Sequence, residues 1–286
     1  MGLHRTCRSV PAVAVAGLLA SASHADPANW SAAQLKADKQ FTSYAFAHEF
    51  GSGVYDFNGH TLQVYGLPFA WTVRDLDEAA PGVRLRLPVT LGFLDFEPKD
   101  VLETGLPTSV DSVSFVPGLE LELRAGQRWR ALPYVQAGAS LSSRDDVESR
   151  LFGAGVRAER DFDMAPYTGL YVSQLIYSAV DYRTGELPRD DFVRWRNGVE
   201  ARRSTGHLLA GRDVEWAWFA AADWYLDPPT GPATGVEAPT VQLESGVVFG
   251  VRPEWRVMRI PLPRIGLSYR FAGDLSSVRL VIGAPF

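Results

Sequence analysis

In the stretch GVRLRLPVTLGF, residues 82–93, large apolar residues occupy the odd-numbered positions, and charged, polar or small residues occupy the even-numbered ones. Alternation of this kind predicts a β-strand with one apolar face and one polar face. Ten residue steps of ~3.3 Å, tilted by about 40°, project to roughly 25 Å, the height of the apolar band on an outer-membrane barrel. We therefore expect this strand to cross a membrane. The apolar face consists of Val83, Leu85, Leu87, Val89, Leu91 and Phe93, and the opposite face of Arg84, Arg86, Pro88, Thr90 and Gly92.

The same alternation returns in SVSFVPGLELEL at 112–123, QLESGVVFGV at 242–251 and RIGLSYRF at 264–271. After residue 25 no apolar run approaches the ~20 residues that a membrane helix needs, so a closed barrel is the membrane structure that remains. The sequence predicts an all-β, closed antiparallel transmembrane β-barrel of about twelve strands, with ten or fourteen left open. The predicted strands are 41–51, 61–73, 82–95, 111–124, 128–142, 149–161, 167–182, 192–205, 214–226, 239–251, 263–272 and 276–286.

Residues 1–25 are typical of a cleaved secretory signal, with Arg5 and Arg8, an apolar run over 10–20 and small residues at the end. Its removal also removes Cys7, the only cysteine, and changes the formal net charge of −5 to −7 by the loss of the two arginines. A chain of this charge is an unlikely partner for nucleic acid. Residues 26–40 form a polar segment in which Ser31 and Gln34 resemble a capping box, which predicts a short helix. The barrel domain is assigned to 41–286.

Tryptophans mark both ends of the predicted strand EWAWFAAADWYL, residues 215–226. Trp216, Trp218 and Trp224 share one parity, and the eight steps from first to last project to roughly 20 Å. We interpret them as membrane-interface aromatics at the two headgroup levels, where such residues form belts. A tryptophan-rich core of a soluble sandwich is the alternative.

Charged residues collect on the parity opposite to the apolar faces. An unpaired charge in a poorly hydrated interior is costly, so we expect these residues to pair across strands and brace the lumen. An anion channel that uses the arginine excess is the alternative. The predicted lumen-facing residues are Arg84, Arg86, Glu120, Glu122, Arg157, Glu159, Arg194, Arg196, Glu200, Arg270 and Arg279.

No catalytic or metal constellation is complete in the sequence. His48 lies near Ser52, but the His-x-Ser spacing of barrel lipases is absent, so we predict no catalytic residue. Asp145, Asp146 and Glu148 are interpreted as a solvated acidic loop, because no Gly-spaced calcium-loop pattern accompanies them. We also predict no metal site and no cofactor.

Several stretches resemble the family of solitary outer-membrane autotransporter-like β-barrel domains. They are LPVTLGFLDFEPKDVL at 87–102, SFVPGLELEL at 114–123, LPRIGLSYRFAGDLSSVRL at 262–280 and IGAPF at 282–286. The resemblance implies a twelve-stranded barrel similar to an autotransporter translocator, without a large passenger. It also implies that Phe286, at the end of an alternating segment, is a signal for the barrel-assembly machinery.

The expected protein is therefore a structural or transport-like outer-membrane barrel of a Gram-negative bacterium, exported through its signal peptide and not an enzyme. A narrow porin-like channel is the first alternative, and an outer-membrane lipid-modifying enzyme is the second. The expected partners are outer-membrane lipid, lipopolysaccharide and the barrel-assembly machinery. A monomer is expected.

Overall fold

The fold is given by a computed structural model, which describes residues 52–57, 60–78, 80–94, 111–142, 147–183, 189–227, 240–254, 256–257, 260–261, 264–272 and 275–286. Fifteen strand segments lie within these ranges. In chain order they are β1 Gly53–Phe57, β2 His60–Arg74, β3 Gly82–Leu94, β4 Ser112–Phe115, β5 Gly118–Arg124, β6 Trp129–Ser142, β7 Val147–Met164, β8 Tyr167–Tyr182, β9 Asp190–Leu209, β10 Arg212–Asp227, β11 Val241–Arg252, β12 Arg256–Val257, β13 Ile260–Pro261, β14 Ile265–Ala272 and β15 Leu275–Ile282.

The main sheet closes on itself. Its order runs β2, β1, β15, β14, β11, β10, β9, β8, β7, β6 and then β4 with β5, which both pair with β3. Strand β3 also pairs with β2, where the order began, so the hydrogen-bonded ring is complete. Because β4 and β5 lie between the same two neighbours, they are halves of one strand. Counted in this way, the described residues form an antiparallel barrel of twelve strands, as the sequence predicts. The two-residue segments β12 and β13 pair only with each other within the described chain.

The break between β4 and β5 has a local cause in Pro117. Proline has no N–H for the ladder, so a strand interior that contains it bulges or stops. The backbone is held on both sides of the break, because Val116 N donates to Pro88 O at 3.4 Å and Ala137 N donates to Pro117 O at 3.0 Å. Gly138 lies beside the break, where an added Cβ would come within 2.0 Å of Phe115 O.

Burial on this barrel is the reverse of that in a water-soluble protein. Leu267 is 61% exposed and Phe249 is 55% exposed, whereas Glu244 retains 3% and Arg270 retains 2% of their accessible surface. Residues that face each other across strands share a face of the sheet. Side chains inside a closed ring are shielded from the surroundings, and those outside it are not. Because the charged residues are the buried ones, the charged face is the concave inner face of the ring, and the leucine, valine and aromatic face is the outer one.

Part of the interior is apolar as well. Leu132 of β6, Leu151 of β7, Val172 and Ile176 of β8 and Phe192 of β9 are all at most 2% exposed. Strand β8 alternates weakly in sequence because its inner face carries these aliphatic residues while its outer face carries others. Its bounds, Tyr167–Tyr182, nevertheless coincide with the predicted 167–182.

The two ends of the chain differ from the predicted strand set. The predicted strand at 41–51, like the signal 1–25 and the segment 26–40, lies outside the described residues; the strand before β2 is Gly53–Phe57. The predicted last strand, 276–286, is too long, because β15 ends at Ile282. Gly283 then takes a φ of +104°, a conformation that side chains disfavour and glycine tolerates, and the chain turns out of the strand. No helix in the described ranges is long and apolar enough to cross a membrane.

Candidate functional site: the charged lumen

The most buried charge cluster of the lumen is centred on Glu244 of β11. Its carboxylate accepts hydrogen bonds from Arg196 Nη2 at 2.6 Å, from Arg270 Nη2 at 2.9 Å and from Arg279 Nη1. Ser268 Oγ donates to the same carboxylate at 2.7 Å. These partners come from β9, β14 and β15, so one side chain ties three other strands together.

Asp223 of β10 is the second acid of this cluster. Its oxygens lie 3.2 Å from Arg196 Nε, 3.8 Å from Arg194 Nε and 3.7 Å from Arg270 Nη2. We name Arg194, Arg196, Asp223, Glu244, Arg270 and Arg279 the central cluster. Its four arginines and two acids carry a formal net charge of +2, so favourable pairs coexist with a surplus of positive charge.

A second cluster on the far side of the lumen, on β3, β5, β6 and β7, is electrically balanced. Its pairs are Arg84–Glu122 at 2.6 Å, Arg84–Glu120 at 3.7 Å, Arg130–Glu122 at 3.3 Å, Arg130–Glu159 at 3.0 Å, Arg157–Glu159 at 2.9 Å and Arg157–Glu120 at 3.4 Å. We name these six residues the side cluster. Arg86 stands apart from them, with its guanidinium 4.5 Å from the centre of the Tyr134 ring.

A smaller group connects the inner face of β9 with Arg264, the residue directly before β14. Arg264 donates to Glu200 at 2.7 and 3.4 Å, and Arg202 pairs with the same carboxylate. Glu200 is 1% exposed, so both arginines compensate a carboxylate that water barely reaches.

Phe286 packs against the inner wall of the barrel. Its ring lies edge to face against Phe219, with the centroids 5.8 Å apart, and the Arg196 guanidinium is 5.9 Å from its centroid. An added Cβ at Gly198 would come within 2.1 Å of the ring. The alternation that places Phe286 on the outer face of the last strand therefore fails after Ile282. Its role as an assembly signal stays a prediction.

All eleven charged residues predicted for the lumen lie on the inner face of the sheet. The central and side clusters bring together nine of them, Glu200 joins the smaller group, and Arg86 contacts Tyr134. Six further participants are absent from that set of eleven: Arg130, Arg202, Asp223, Glu244, Arg264 and Ser268. The alternation in the sequence also puts four of them, Arg130, Arg202, Glu244 and Arg264, on the inward parity. The sequence does indicate that Asp223 faces inward, because it alternates with the tryptophans of EWAWFAAADWYL and so lies on the opposite face of that strand.

The three predicted interface tryptophans lie on the outer face of β10. Trp224 packs near Trp195 of β9, with the ring centroids 5.5 Å apart. Trp216 meets Tyr167 edge to face at 6.1 Å. Trp218 Nε1 donates to Ser245 Oγ at 3.1 Å.

The residues considered for catalysis or metal binding either make structural contacts or lie outside the described chain. Ser52 Oγ donates to Gly66 O at 3.1 Å and accepts from Gly66 N at 2.8 Å, which fixes it to the backbone of β2. Glu148 pairs with Arg183 at 3.3 Å. His48, Asp145 and Asp146 lie outside the described residues. Among the residues that the structure describes, no group of three or more His, Cys, Asp or Glu is placed to hold a metal ion.

Comparison with solved structures finds similarity to the β domain of the Bordetella autotransporter BrkA. The identity is 13%, the alignment covers 81% of this chain and 95% of that chain, and the TM-score is 0.41. No family model and no curated protein matches the chain. The assignment of a closed barrel rests on the strand pairing of this chain.

Proposed function

We propose that the protein is an outer-membrane β-barrel of a Gram-negative bacterium whose lumen is closed by its own side chains, so that it serves as a structural element of the membrane. The observation that carries this proposal is the reversed burial: apolar side chains cover the outside of a closed ring, and paired charges fill the inside. A closed barrel satisfies every backbone group without water, which is the requirement for strands in lipid.

The outer face supports a lipid environment. Large apolar side chains are exposed on strands around the whole ring, from Trp71 of β2 at 57% to Val278 of β15 at 54%. Soluble monomers rarely expose contiguous apolar patches of more than a few hundred Å². Trp216 and Trp218 lie towards one end of the outer face of β10 and Trp224 towards the other, the arrangement expected of residues at the two membrane interfaces.

The lumen contacts support closure. Arg196 of β9 reaches Glu244 of β11 across β10, and Arg157 of β7 reaches Glu120 of β5 across β6. Such pairs extend over the inner surface and do not merely join neighbouring strands. Buried aromatic and aliphatic residues of β6 to β10 also line the interior. On this proposal they and the charge pairs together exclude a continuous column of water.

A narrow anion-conducting channel is the second candidate. The surplus of two positive charges in the central cluster favours it, because a low-dielectric passage lined by arginine attracts anions. Under this alternative, Arg279 and Arg194 would meet the permeating ion.

Export by the signal 1–25, assembly through the barrel-assembly machinery, and contact with outer-membrane lipid and lipopolysaccharide belong to the same proposal. So does the absence of enzymatic activity and of a cofactor.

Two measurements on the full chain test the proposal. First, the membrane-fraction protein is compared on gels with and without heating; a folded barrel migrates differently after heating. Second, the folded protein is placed in planar bilayers, where a closed barrel gives no discrete conductance. As a positive control, Arg196→Ala with Glu244→Ala removes the contact across β10 and is expected to admit ions.

Three outcomes separate the candidates. A heat-dependent shift without conductance supports the closed barrel. Anion-selective steps that weaken in Arg279→Ala support the channel and refute closure. Recovery from the soluble periplasm without a shift refutes both.

A further inference from the structure

Two polar side chains face outward side by side on the apolar surface of β8 and β9. Ser173 and Asn197 are directly opposite each other in the ladder between these strands. Asn197 shares its parity with Trp195 and Val199, which are 44% and 37% exposed on the outer face. The amide therefore lies among side chains that belong to the outer surface and not to the lumen.

The hydrogen bonds of this pair are incomplete. Tyr171 donates its hydroxyl hydrogen to Asn197 Oδ1 at 2.8 Å, and Trp195 Nε1 donates to Ser173 Oγ at 3.0 Å. Within the described chain, neither the Asn197 Nδ2 hydrogens nor the Ser173 hydroxyl hydrogen has an acceptor. We name Tyr171, Ser173, Trp195 and Asn197 the outer polar patch.

The position of this patch raises the free-energy cost of leaving its donors without hydrogen-bond acceptors. Asn197 is opposite Ala222 of β10, between Trp218 and Trp224. If the barrel spans a membrane as proposed above, this level lies in hydrocarbon, where neither water nor a headgroup supplies an acceptor. An unsatisfied amide there weakens the barrel unless another protein surface covers it.

Ser245 shows how a single copy satisfies a polar group on the same face. Its Oγ accepts from Trp218 Nε1 at 3.1 Å and donates to Phe219 O at 3.1 Å. Each function of this hydroxyl is used within one chain. The outer polar patch lacks this internal solution.

We infer that the outer polar patch is the contact surface for a second copy of this chain, with a two-fold axis along the membrane normal close to Asn197. A carboxamide is both donor and acceptor, so two copies of the same amide complement each other across a two-fold axis. Asn197 Nδ2 then donates to the partner's patch, and the partner reciprocates. This dimer replaces the monomer expected from sequence, and it rests on the proposed membrane location.

Disulfide capture tests the geometry directly, because the full chain has one cysteine, Cys7. On a Cys7→Ser background that keeps Asn197, Val199→Cys, at the next outward position of β9, is oxidised in native membranes and the products are separated on non-reducing gels. The matched control is Val278→Cys, an exposed outward position on β15, on another side of the ring. We expect covalent dimers from Val199→Cys and about tenfold fewer from Val278→Cys, the ratio that about 1.4 kcal/mol of interface preference gives.

A second measurement follows association without a covalent bond. Asn197→Ala should weaken self-association in lipid vesicles by about tenfold, the effect of losing a hydrogen bond between membrane segments worth about 1.4 kcal/mol. Ser245→Ala, which removes a hydroxyl satisfied within one chain, should leave association unchanged.

Heat-dependent migration of each variant distinguishes the two proposals. If the barrel is folded in the membrane but Val199→Cys crosslinks no better than Val278→Cys, the dimer is wrong and the proposed function stands. Equal loss of association in Asn197→Ala and Ser245→Ala also overturns the dimer. Recovery of the protein from the soluble fraction overturns both.

Discussion

Glu244→Gln should be among the most damaging conservative substitutions in the lumen. The change leaves the side-chain shape and the Ser268 contact but removes the charge that faces Arg196, Arg270 and Arg279. The central cluster would pass from a net charge of +2 to +3, with Asp223 as its remaining acid. Breaking a buried pair by removal of one partner costs roughly 3–5 kcal/mol, so we expect a loss of that size in the free energy of unfolding. Urea unfolding of the protein in lipid vesicles, followed by heat-dependent migration, measures it.

Glu148→Gln is the matched control. It removes the same charge from a pair with Arg183 at 3.3 Å, but the two side chains are 48% and 50% exposed. Exposed pairs contribute about 0–1 kcal/mol, so this variant should unfold nearly as the parent does. Equal losses in the two variants would refute the argument that burial makes the lumen charges important. Adding Arg279→Gln to Glu244→Gln should recover part of the loss, because it removes one of the arginines left without a carboxylate.

Two further substitutions test the interior and the exterior of the barrel separately. Gly198→Ala would place a Cβ within 2.1 Å of the Phe286 ring, so we expect it to destabilise the barrel by about 1–3 kcal/mol in a thermal unfolding scan. Gly66→Ala is the control, because an added Cβ there would meet Ser52 Oγ at an ordinary contact distance of 3.5 Å. This variant should lose less stability. Leu267→Arg puts a charge in the outer apolar band and should cost about 2–4 kcal/mol in vesicles. Leu208→Arg, at the end of β9 where Leu208 is 72% exposed, should cost less than about 1 kcal/mol, and similar values for the two arginines would argue against a lipid-facing band.

Much of the strand set could be predicted because a strand with one apolar face and one charged face must alternate. The segment 82–95 was predicted from alternation alone, and β3 runs Gly82–Leu94. Strand β10 extends one or two residues beyond the predicted 214–226 at each end. The signal weakens where both faces are apolar, as on β8, because alternation then no longer distinguishes the inner side from the outer.

The partners of each lumen charge could not be predicted, since parity gives the side of the sheet but not the position around the ring. Arg196 meets Glu244 although the two are 48 residues apart in sequence and strand β10 lies between theirs. That contact depends on the stagger of β9, β10 and β11, which is set by all the strand pairings together. The path of the chain after Ile282 escaped prediction for another reason: Gly283 and Pro285 allow a turn, and the favourable contact of Phe286 lies on β9 and β10, far away in sequence.

The charged interior also makes the strand register specific. A slip of β9 by one residue exchanges its faces, because side chains alternate with a period of two. Arg194, Arg196 and Glu200 would then face outward, and Trp195 would enter the lumen. If the outer band faces lipid as proposed, each arginine placed in it costs about 2–4 kcal/mol. At the same time Asp223 would lose Arg194 and Arg196, and Glu244 would lose Arg196 while it keeps Arg270 and Arg279. An apolar lumen would make the same slip far cheaper, so we expect the buried pairs to contribute more to selecting one register than to the net stability of the folded barrel.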